Sequence, residues 1–506
     1  MQSTAGSWLS GRRIRANGLV GSTMGVATLA LLWLSPLVAR ARTWHVEHDP
    51  NQPIDQIGQV VLAAASGDSV VIGPGTYYEH IVVRLKSITF IGREGADATI
   101  LDGSQPIDGR EGSVLYTDPN GSGDFDLVVV GLTVSHGSGC NFVPDGVWGG
   151  GLADFDAQGG TAKIQHCVFE DNVVTSGTSD YGGAVALAGL GSSEISDCKF
   201  RGNRINLGEG GGGVAFRGGS GHVLVQRCTF DLTGAWLGGG GDAIYALNFG
   251  DIQILDNTFL YESSLDGDNV VELYAANGVV QRNSFSQSVS DYVGFLYCQD
   301  PWGTGHHSNT LDVSHNKFWE SHVPPWPCVE LRPNEASITC TDNFFVRCPV
   351  SILSASGSLV DFARDALYDS QASIGCSGVT LSTCVVTWPS AVTDNGYHNL
   401  HIDRNVVKDP LLCSDGPDQF DVAANSPCLS DPLLPGCGVI GDAVVGCGAA
   451  EIGACCVAGR CLLLSPGGCE TAHGTYQGDG VVCYPDPCLP IPTRIMTWGQ
   501  IKSSFK

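Results

Sequence analysis

The chain has 506 residues, a formal net charge of −26 at pH 7, 68 glycines and only 15% charged residues. So much glycine with so little charge favours a loop-rich all-β protein and argues against a helical enzyme. The acidic balance argues against a nucleic-acid partner, because nucleic-acid binding needs a basic face.

Residues 1–41 have the pattern of a signal peptide. Three arginines within positions 12–15 precede an apolar run over 19–38, and Ala39-Arg40-Ala41 offers a small-residue cleavage site. An uncleaved anchor is the alternative, because the apolar run approaches the length that spans a bilayer. Cleavage would leave no membrane span and an extracellular or surface-located chain, in which 20 cysteines can form disulfides.

Residues 42–105 are predicted to form an N-terminal cap and the first coils of a repetitive fold. The stretch from Ile54 to Ala65 can form a short helix that turns Ile57 and Val61 toward the core. Such a helix would cover strand edges that otherwise stay unpaired at the end of the fold.

A short motif occurs seven times between Ile164 and Phe345: an apolar residue, two spacers, Cys or Asn, one spacer and Phe. A weaker eighth copy ends at Val134, and from there the motif returns every 26 to 35 residues. A repeat of this length indicates a solenoid. The Cys or Asn positions are Cys167, Cys198, Cys228, Asn257, Asn283, Asn316 and Asn343.

Each period holds a second apolar segment after a pair of small or polar residues, as in Gly182-Gly183-Ala184-Val185. Apolar alternation over three to six residues between Gly and Asn indicates strands. Three short strands per turn form a parallel β-helix, whose coils lie about 4.8 Å apart. We predict this β-helix over residues 106–448, with the motif Phe side chains stacked inside.

These repeats resemble the right-handed pectin-lyase-like β-helix of secreted bacterial proteins, over roughly residues 45–448. The stretch from Ala65 to Glu79 is similar to the cap and first coils of such proteins. The resemblance implies an all-β, right-handed parallel β-helix solenoid. It also implies that the motif Asn lies at a tight turn between the second and third sheets, where stacked amides bond to each other.

The three early cysteines of the motif take the place of this Asn and are interpreted as small buried residues. Cys198 is predicted to be a free thiol, because equivalent slots on adjacent coils give parallel Cβ vectors that suit a disulfide poorly.

Catalytic motifs of enzymes with this fold are missing from the chain. Gly75-x-Tyr77-x-Glu79 is similar to one motif of pectin methylesterases, but their Asp-Phe-Ile-Phe-Gly stretch is absent, so we assign Glu79 a structural role. The Asp-Asp pair and Gly-His-Gly of polygalacturonases are also absent, as is the Val-Trp-Ile-Asp-His block of pectate lyases. We therefore predict a non-catalytic protein that binds a polysaccharide or another cell-surface component. The alternatives are a polysaccharide lyase or glycoside hydrolase, and a structural spacer.

The predicted site lies on the outer face of the strand that follows each glycine pair. Alternation predicts that Ala153, Ala186 and Ala215 form a flat, chemically silent surface in the early coils. Later coils present carboxylates beside aromatic rings, which sugar binding or glycoside hydrolysis requires; ordinary strand surface is the alternative. The catalytic candidates are Glu272, Glu330 and Arg332, and the substrate-binding candidates are Tyr245, Tyr274, Trp302 and His306.

A second cluster combines Asp242, Asp266 and Asp268. Asp242 and Asp268 both precede their motif Phe by 17 residues, so they are expected to stack one coil apart. Stacked carboxylates repel unless a cation bridges them or one is protonated, and Ca²⁺ prefers oxygen ligands. A solvated turn with the carboxylates pointing apart is the alternative, and the fold requires no cofactor.

Residues 449–489 are predicted to form a small disulfide-rich module. It holds six cysteines, for which the sequence allows 15 connectivities, and it lacks the Cys-x-x-Cys typical of zinc sites.

Residues 490–506 form a Pro-rich linker and a basic tail. In this tail Trp498, Ile501 and Phe505 share one face of a short helix. The tail resembles C-terminal tags that a sorting receptor recognises in exported bacterial proteins; a frayed terminus is the alternative.

Overall fold

The computed structural model describes most of the chain between residues 40 and 488. The described ranges are 40–50, 56–105, 112–118, 124–143, 146–155, 159–174, 181–205, 210–218, 221–231, 242–261, 269–287, 294–299, 310–320, 327–332, 336–354, 359–394, 396–414, 420–484 and 487–488. The predicted signal peptide, except for residues 40 and 41, and the predicted tail at 490–506 lie outside these ranges.

The described residues form a parallel β-helix, as predicted. Each coil contributes up to three short strands, and equivalent strands of successive coils pair in parallel to form three faces.

The first face comprises Ile81–Arg84, Leu115–Asp118, Leu152–Phe155, Val185–Ala188, Val214–Arg217, the first halves of Ile244–Leu255 and Asn269–Gln281, Gly294–Gln299, Val329–Arg332, Val350–Ser354, Ala372–Cys376 and Thr393–Asp394. The second face comprises Thr43–Val46, Asp68–Ile72, Ile88–Gly92, Leu127–Val130, Thr161–Gln165, Ser192–Ser196, His222–Gln226, the second halves of the two long strands, Thr310–Ser314, Ser337–Thr341, Leu359–Ala363, Val379–Thr383 and Leu400–Asp403. Because two strands run through both faces, these faces form one 24-stranded sheet.

The third face is a separate sheet of 13 strands that carries the motif Phe residues. Its strands are Gly75–Tyr77, Thr99–Asp102, Thr133–Ser135, Val168–Glu170, Lys199–Arg201, Thr229–Asp231, Thr258–Tyr261, Ser284–Gln287, Lys317–Glu320, Phe344–Val346, Ala366–Tyr368, Val386–Trp388 and Val406–Val407.

Smaller sheets complete the described structure. They are the antiparallel pair Cys140–Val143 and Gly146–Trp148, the parallel pairs Val173–Val174 with Arg204–Ile205 and Asp421–Ala423 with Val444–Cys447, and the antiparallel sheet of Gly453–Val457, Arg460–Leu464 and Thr475–Asp479.

The predicted register is confirmed along the interior of the β-helix. Phe200 pairs with Phe169 on one side and with Phe230 on the other, and the weaker copy places Val134 beside Phe169. The seven motif Phe rings stack with centroids 4.5–5.3 Å apart and planes within 12° of parallel. Each ring is at most 1% exposed, so their burial is a main source of coil-to-coil stability.

The turn between the second and third faces carries the Asn ladder. Asn257, Asn283 and Asn316 each donate from Nδ2 to the Oδ1 of the next Asn, over 3.0–3.1 Å. Asn343 donates in the same way to Asp365, at 3.0 Å. The backbone N–H of each of these four Asn residues bonds to the same Oδ1 as its side chain does, so the ladder pairs buried groups of adjacent coils.

The residue before each Cys or Asn of the motif, and before Asp365, has a left-handed backbone. Its φ is 52–60° at all of these positions from His166 to Arg364. A non-glycine residue in this region carries a small conformational cost. Acidic and basic side chains pair between neighbouring turns, as in Asp197–Arg227 and Asp256–Arg282. These pairs are partly exposed, so each contributes little to stability.

The N-terminal cap contains the predicted helix, here called α1 (Gln56–Ala63), which buries Ile57 and Val61. Glu79 is 4% exposed, and its carboxylate accepts hydrogen bonds from the backbone N–H groups of Gln56, Ile57 and Gly58 at 2.6–3.2 Å. A carboxylate at a helix N-terminus pairs N–H groups that have no partner within the helix. The structural role predicted for Glu79 is therefore confirmed.

Five disulfides connect described cysteines, and all of these cysteines lie from Cys384 onward. The pairs are Cys384–Cys437, Cys413–Cys447, Cys455–Cys469, Cys456–Cys488 and Cys461–Cys483. Cys198 is a free, buried thiol, as predicted, and so are Cys167 and Cys228.

The described residues of the predicted disulfide-rich module, here called the disulfide-rich part (449–484 and 487–488), pack on the outer side of the third face. This part contains a second helix, α2 (Pro466–Thr471), whose N-cap is Ser465. Trp388 donates from Nε1 to the carbonyl of Gly468 at 3.1 Å, and the Tyr368 hydroxyl lies 2.8 Å from that of Thr471. One apolar cluster therefore joins the last coils to this part, and the described residues from Ala41 onward belong to one compact unit. The predicted boundary at 448/449 stays a prediction.

Candidate functional site

The outer side of the first face brings several predicted site residues into one row. In strand order the row runs through Ala153, Ala186, Ala215, Tyr245, Glu272, Tyr297, Glu330 and Ser351, each paired with the next. A parallel row beside it contains Tyr274 and Arg332. Tyr245, Glu272, Tyr274, Glu330 and Arg332 therefore share one face, as alternation predicts.

Tyr297 is a member of this row that the sequence analysis missed. Its strand, Gly294–Gln299, precedes the motif Phe318 with a longer spacing than other coils have. Leu296, its inward apolar residue, stands 22 residues before Phe318, whereas the corresponding distance elsewhere is 14–17. The insertion of residues 300–309 between two strands of one coil explains the omission.

The early part of the same face differs from the prediction of a flat, chemically silent surface. Ala153, Ala186 and Ala215 do point outward, but they are at most 2% exposed. Trp148 and Tyr181 pack with these alanines, and their ring centroids are 4.8 Å apart. The small methyl groups leave room for large rings from the preceding turn, so the surface predicted to be flat and chemically silent is instead covered by a closed apolar layer.

A positively charged arginine side chain lies over this layer. The guanidinium of Arg217 lies 5.2 Å from the ring centroid of Trp148 and 5.0 Å from that of Tyr181. Such contacts contribute about 0.5–2 kcal/mol each, more as water is excluded. The layer therefore ends in a half-buried positive charge.

Aromatic rings continue from this layer along the helix axis. The ring centroids of Tyr181 and Tyr245 are 5.7 Å apart, those of Tyr245 and Tyr274 are 5.9 Å apart, and those of Tyr274 and Tyr297 are 6.2 Å apart. Tyr181 is fully buried, Tyr245 is 7% exposed, and Tyr274 and Tyr297 are half-buried. The aromatic rings thus become more accessible to solvent toward the later coils.

Glu272 lies between these rings and is only 7% exposed. Its Oε1 accepts a hydrogen bond of 2.5 Å from the Tyr274 hydroxyl. Burial, and then the neighbouring Glu272 carboxylate, raise the pKa of Tyr274 well above its usual range. Tyr274 therefore remains a neutral hydroxyl at physiological pH, and its hydrogen bond orients the carboxylate.

Glu330 and Arg332 form an ion pair at the accessible end of the row, where Arg332 is 50% exposed. Between the two glutamates stands Tyr297, whose pKa is raised by burial and further by the Glu330 carboxylate. The register places the strands of Glu272 and Glu330 two coils apart, or about 9.6 Å. That is wider than the roughly 5–5.5 Å between the carboxyl groups of retaining glycosidases.

Several candidates fall outside the described residues. These are the proposed sugar-binding residues Trp302 and His306 and two of the three proposed Ca²⁺ ligands, Asp266 and Asp268. Asp242 is described and 2% exposed. The part of the chain that the structure describes contains no group of three His, Cys, Asp or Glu side chains suited to a metal ion. The calcium site stays a prediction.

The described residues form two helices, α1 and α2, and both are short. None of those in the described ranges is long and apolar enough to cross a membrane.

Comparison with known proteins identifies the repetitive region. Residues 138–318 match the family model described as right handed beta helix region, and this segment contains six of the seven motif copies. Together with the parallel sheets, the match confirms the predicted fold class. No significant match was found among curated proteins or among solved structures.

Proposed function

We propose that this right-handed β-helix protein binds a polysaccharide along the outer side of its first face, without catalysing a reaction on it. The observation that carries the proposal is the row of Tyr245, Glu272, Tyr274, Tyr297, Glu330 and Arg332, here called the tyrosine–glutamate stripe.

The stripe has the chemistry that a sugar polymer needs. Tyrosine rings offer apolar faces for the C–H side of a sugar ring, and their hydroxyls bond to polar substituents. Carboxylate and guanidinium groups are strong hydrogen-bond partners for sugar hydroxyls. The stripe crosses one coil after another, so a linear polymer can contact several coils at once.

The same geometry favours binding over catalysis. The Glu330 carboxylate is already engaged in an ion pair with the neighbouring Arg332. Glu272 accepts a hydrogen bond from Tyr274 and is almost completely buried. The spacing of about 9.6 Å between their strands also disagrees with a retaining pair and lies at the upper limit of the range for inverting pairs, about 6.5–9.5 Å.

The proposal includes an extracellular or surface location, which agrees with this choice of ligand. Five disulfides in one chain are typical of a protein in an oxidising compartment. Polysaccharides of a cell surface or matrix are available in such a compartment.

A glycan array with the purified protein tests the proposal, beside an assay for released reducing sugar. Tyr297→Ala and Tyr274→Ala are expected to lower binding of the best glycan about tenfold or more, because each removes a ring from the stripe. Tyr484→Ala is the matched control, because Tyr484 is 90% exposed and lies outside the stripe. Tyr274→Phe, which keeps the ring, separates stacking from the hydrogen bond to Glu272.

Two outcomes would contradict the proposal. Release of reducing ends by the wild-type protein, lost in Glu330→Gln, would indicate a glycosidase or lyase. Equal binding by all four variants and the wild type, or no glycan binding at all, would leave the stripe as ordinary strand surface and favour a structural spacer.

A further inference from the structure

A groove lies where the last coils meet the disulfide-rich part. It encloses a cavity of about 390 Å³, lined by residues of both regions. The apolar lining residues used below are Val407, Ile452, Leu462 and Leu463. Val407 belongs to the third face, Ile452 precedes the strand Gly453–Val457, and the two leucines lie on Arg460–Leu464.

These four side chains are unusually open to solvent for their size. Val407 is 46% exposed, Leu463 50%, Ile452 38% and Leu462 37%. Large apolar side chains that gather around one cavity mark an interaction site more often than scattered surface residues do. The groove is therefore a candidate for covering by another apolar segment.

The groove also has an acidic component. Asp431 lines it and pairs with Lys408. Asp409 lines it as well, accepts hydrogen bonds from Leu411 N at 2.9 Å and from the Ser465 hydroxyl at 2.5 Å, and has a pKa that burial raises. The charge of Asp431 is balanced by Lys408 and burial favours the neutral form of Asp409, so the attraction for a basic ligand comes from the chain as a whole, whose net charge is −26.

We propose that residues 489–506 of the same chain bind in this groove. The segment follows Cys488, which is joined by a disulfide to Cys456. Cys456 lies on the strand Gly453–Val457, which pairs with the strand that carries Leu462 and Leu463. Eighteen residues span up to about 60 Å when extended, so every part of the groove is within reach.

The composition of this segment matches the groove. It contains Arg494, Lys502 and Lys506 and no acidic residue, in a chain whose net charge is −26. It also supplies Trp498 and Ile501, which cover the exposed leucines. Burying the four groove side chains and these two removes apolar area from water, at about 25 cal/mol per Å².

An intramolecular contact is favoured over pairing of two copies. Two chains of net charge −26 repel each other. A tethered segment, by contrast, has an effective concentration in the millimolar range. In the bound state the groove would also hide Trp498 from a receptor, so binding in the groove and recognition by a sorting receptor would exclude each other.

Photo-crosslinking of the full chain tests the proposal. With p-benzoylphenylalanine in place of Trp498, the crosslink is expected within one chain and onto peptides that contain Val407 or Leu462–Leu463. Leu463→Lys is expected to lower the crosslink yield about tenfold, because it places a charge in the apolar part of the groove. Val445→Lys is the control, because Val445 is 52% exposed but does not line the groove.

A second measurement covers the case in which Leu463→Lys disturbs folding. Hydrogen exchange of residues 452–464 is compared between the full chain and a chain that ends at Cys488, with the melting curves of both recorded. Faster exchange in the shortened chain, at an unchanged melting temperature, supports the proposal. Crosslinks only between chains, crosslinks elsewhere, no crosslink, or identical exchange would overturn it.

Discussion

The turn between the second and third faces of this β-helix is built with two chemically different kinds of side chain. In the thiol segment the turn holds Cys167, Cys198 and Cys228; in the amide segment it holds the four Asn residues from Asn257 to Asn343. Both segments keep the same Phe stack and the same backbone register. Each side chain also points to the carbonyl at the equivalent place of the preceding coil.

The two segments differ in the quality of those contacts. Sulfur-to-oxygen distances in the thiol segment are 3.6–3.8 Å, whereas Nδ2-to-oxygen distances in the amide segment are 2.7–3.0 Å. A thiol is a weak donor, and only the amide also offers a strong acceptor to the backbone of its neighbour. The turn therefore accepts either a thiol or an amide, and the amide adds bonding between coils.

The outer surface follows the same division. Coils of the thiol segment have a closed first face, covered by Trp148 and Tyr181. The amide segment carries the half-buried end of the tyrosine–glutamate stripe, including Tyr274 and Tyr297. The proposed binding surface thus lies on the more strongly bonded coils, which favours a preorganised site.

The largest expected effect comes from the stack that both segments share. Phe230 lies at their junction, with rings 4.6 Å and 5.0 Å away on either side. Phe230→Ala, like Phe200→Ala, should lower the free energy of unfolding by about 3–5 kcal/mol, because it leaves a cavity between two coils. Chemical denaturation measures the change. A melting curve like that of the wild type would contradict the interior register.

The second prediction compares the segments directly. Asn316→Ala should leave the carbonyl of Val280 and the N–H of Asn283 without their present partners. An unsatisfied buried group costs about 1–3 kcal/mol. Cys198→Ala, the matched variant in the thiol segment, removes one small, weakly bonded group and should cost about 1 kcal/mol. Equal losses in stability would remove the proposed difference between the segments.

The third prediction concerns Asp365, which ends the amide ladder. Its Oδ1 accepts from Asn343, while its Oδ2 has no hydrogen-bond partner among the described residues. The equivalent position of the next coil is Val385, whose side chain has no hydrogen-bonding group. Burial raises the pKa of Asp365 well above its usual range, and the nearby Asp342 adds to this.

Because the folded-state pKa is raised, the contribution of Asp365 to stability is fullest below its unfolded-state pKa of about 3.9 and falls as the pH rises above it. Asp365→Asn should therefore stabilise the protein at pH 7, by about 1–3 kcal/mol. The gain should shrink toward pH 4. Denaturant titrations of both proteins at several pH values measure it; a gain that is constant with pH would contradict the protonation argument.

Sequence patterns predicted the parts of this molecule that depend on local chemistry. The Phe positions, the turn side chains and the helix α1 follow from periodicity, because inward residues must be apolar and turns need particular side chains. The outward alternation of Tyr245, Glu272 and Glu330 follows in the same way.

The remaining features depend on contacts between distant segments. Tyr297 was missed because an insertion lengthens its coil. The closed layer on Ala186 was missed because alternation says which side a residue faces, not what packs over it. Likewise, the sequence left the pairing of Cys456 with Cys488 open, since disulfide connectivity is a property of the folded chain.

The smallest expected effect comes from replacing one thiol of the thiol segment by an amide. Cys228 is the last thiol, and its backbone N–H already bonds to Oδ1 of Asn257 at 2.9 Å. Its sulfur lies 3.8 Å from the carbonyl of Ile195. In Cys228→Asn, the new amide can donate to both of these oxygens, as each Asn of the ladder does. We expect a gain of about 0.5–1.5 kcal/mol, the net value of one buried hydrogen bond.

Cys167→Asn is the matched control, because its neighbour toward the ladder is Cys198. The backbone N–H of Cys167 lies 3.5 Å from the sulfur of Cys198, which is a poor acceptor for an amide. One donor of the new side chain would stay without a good partner, so this variant should lose stability, by about 1–3 kcal/mol. Thermal melting of the two variants beside the wild type decides the matter. If both variants shift the melting temperature in the same direction, adding one amide to the end of the ladder gives no extra stability. The two segments would then differ only in side-chain volume.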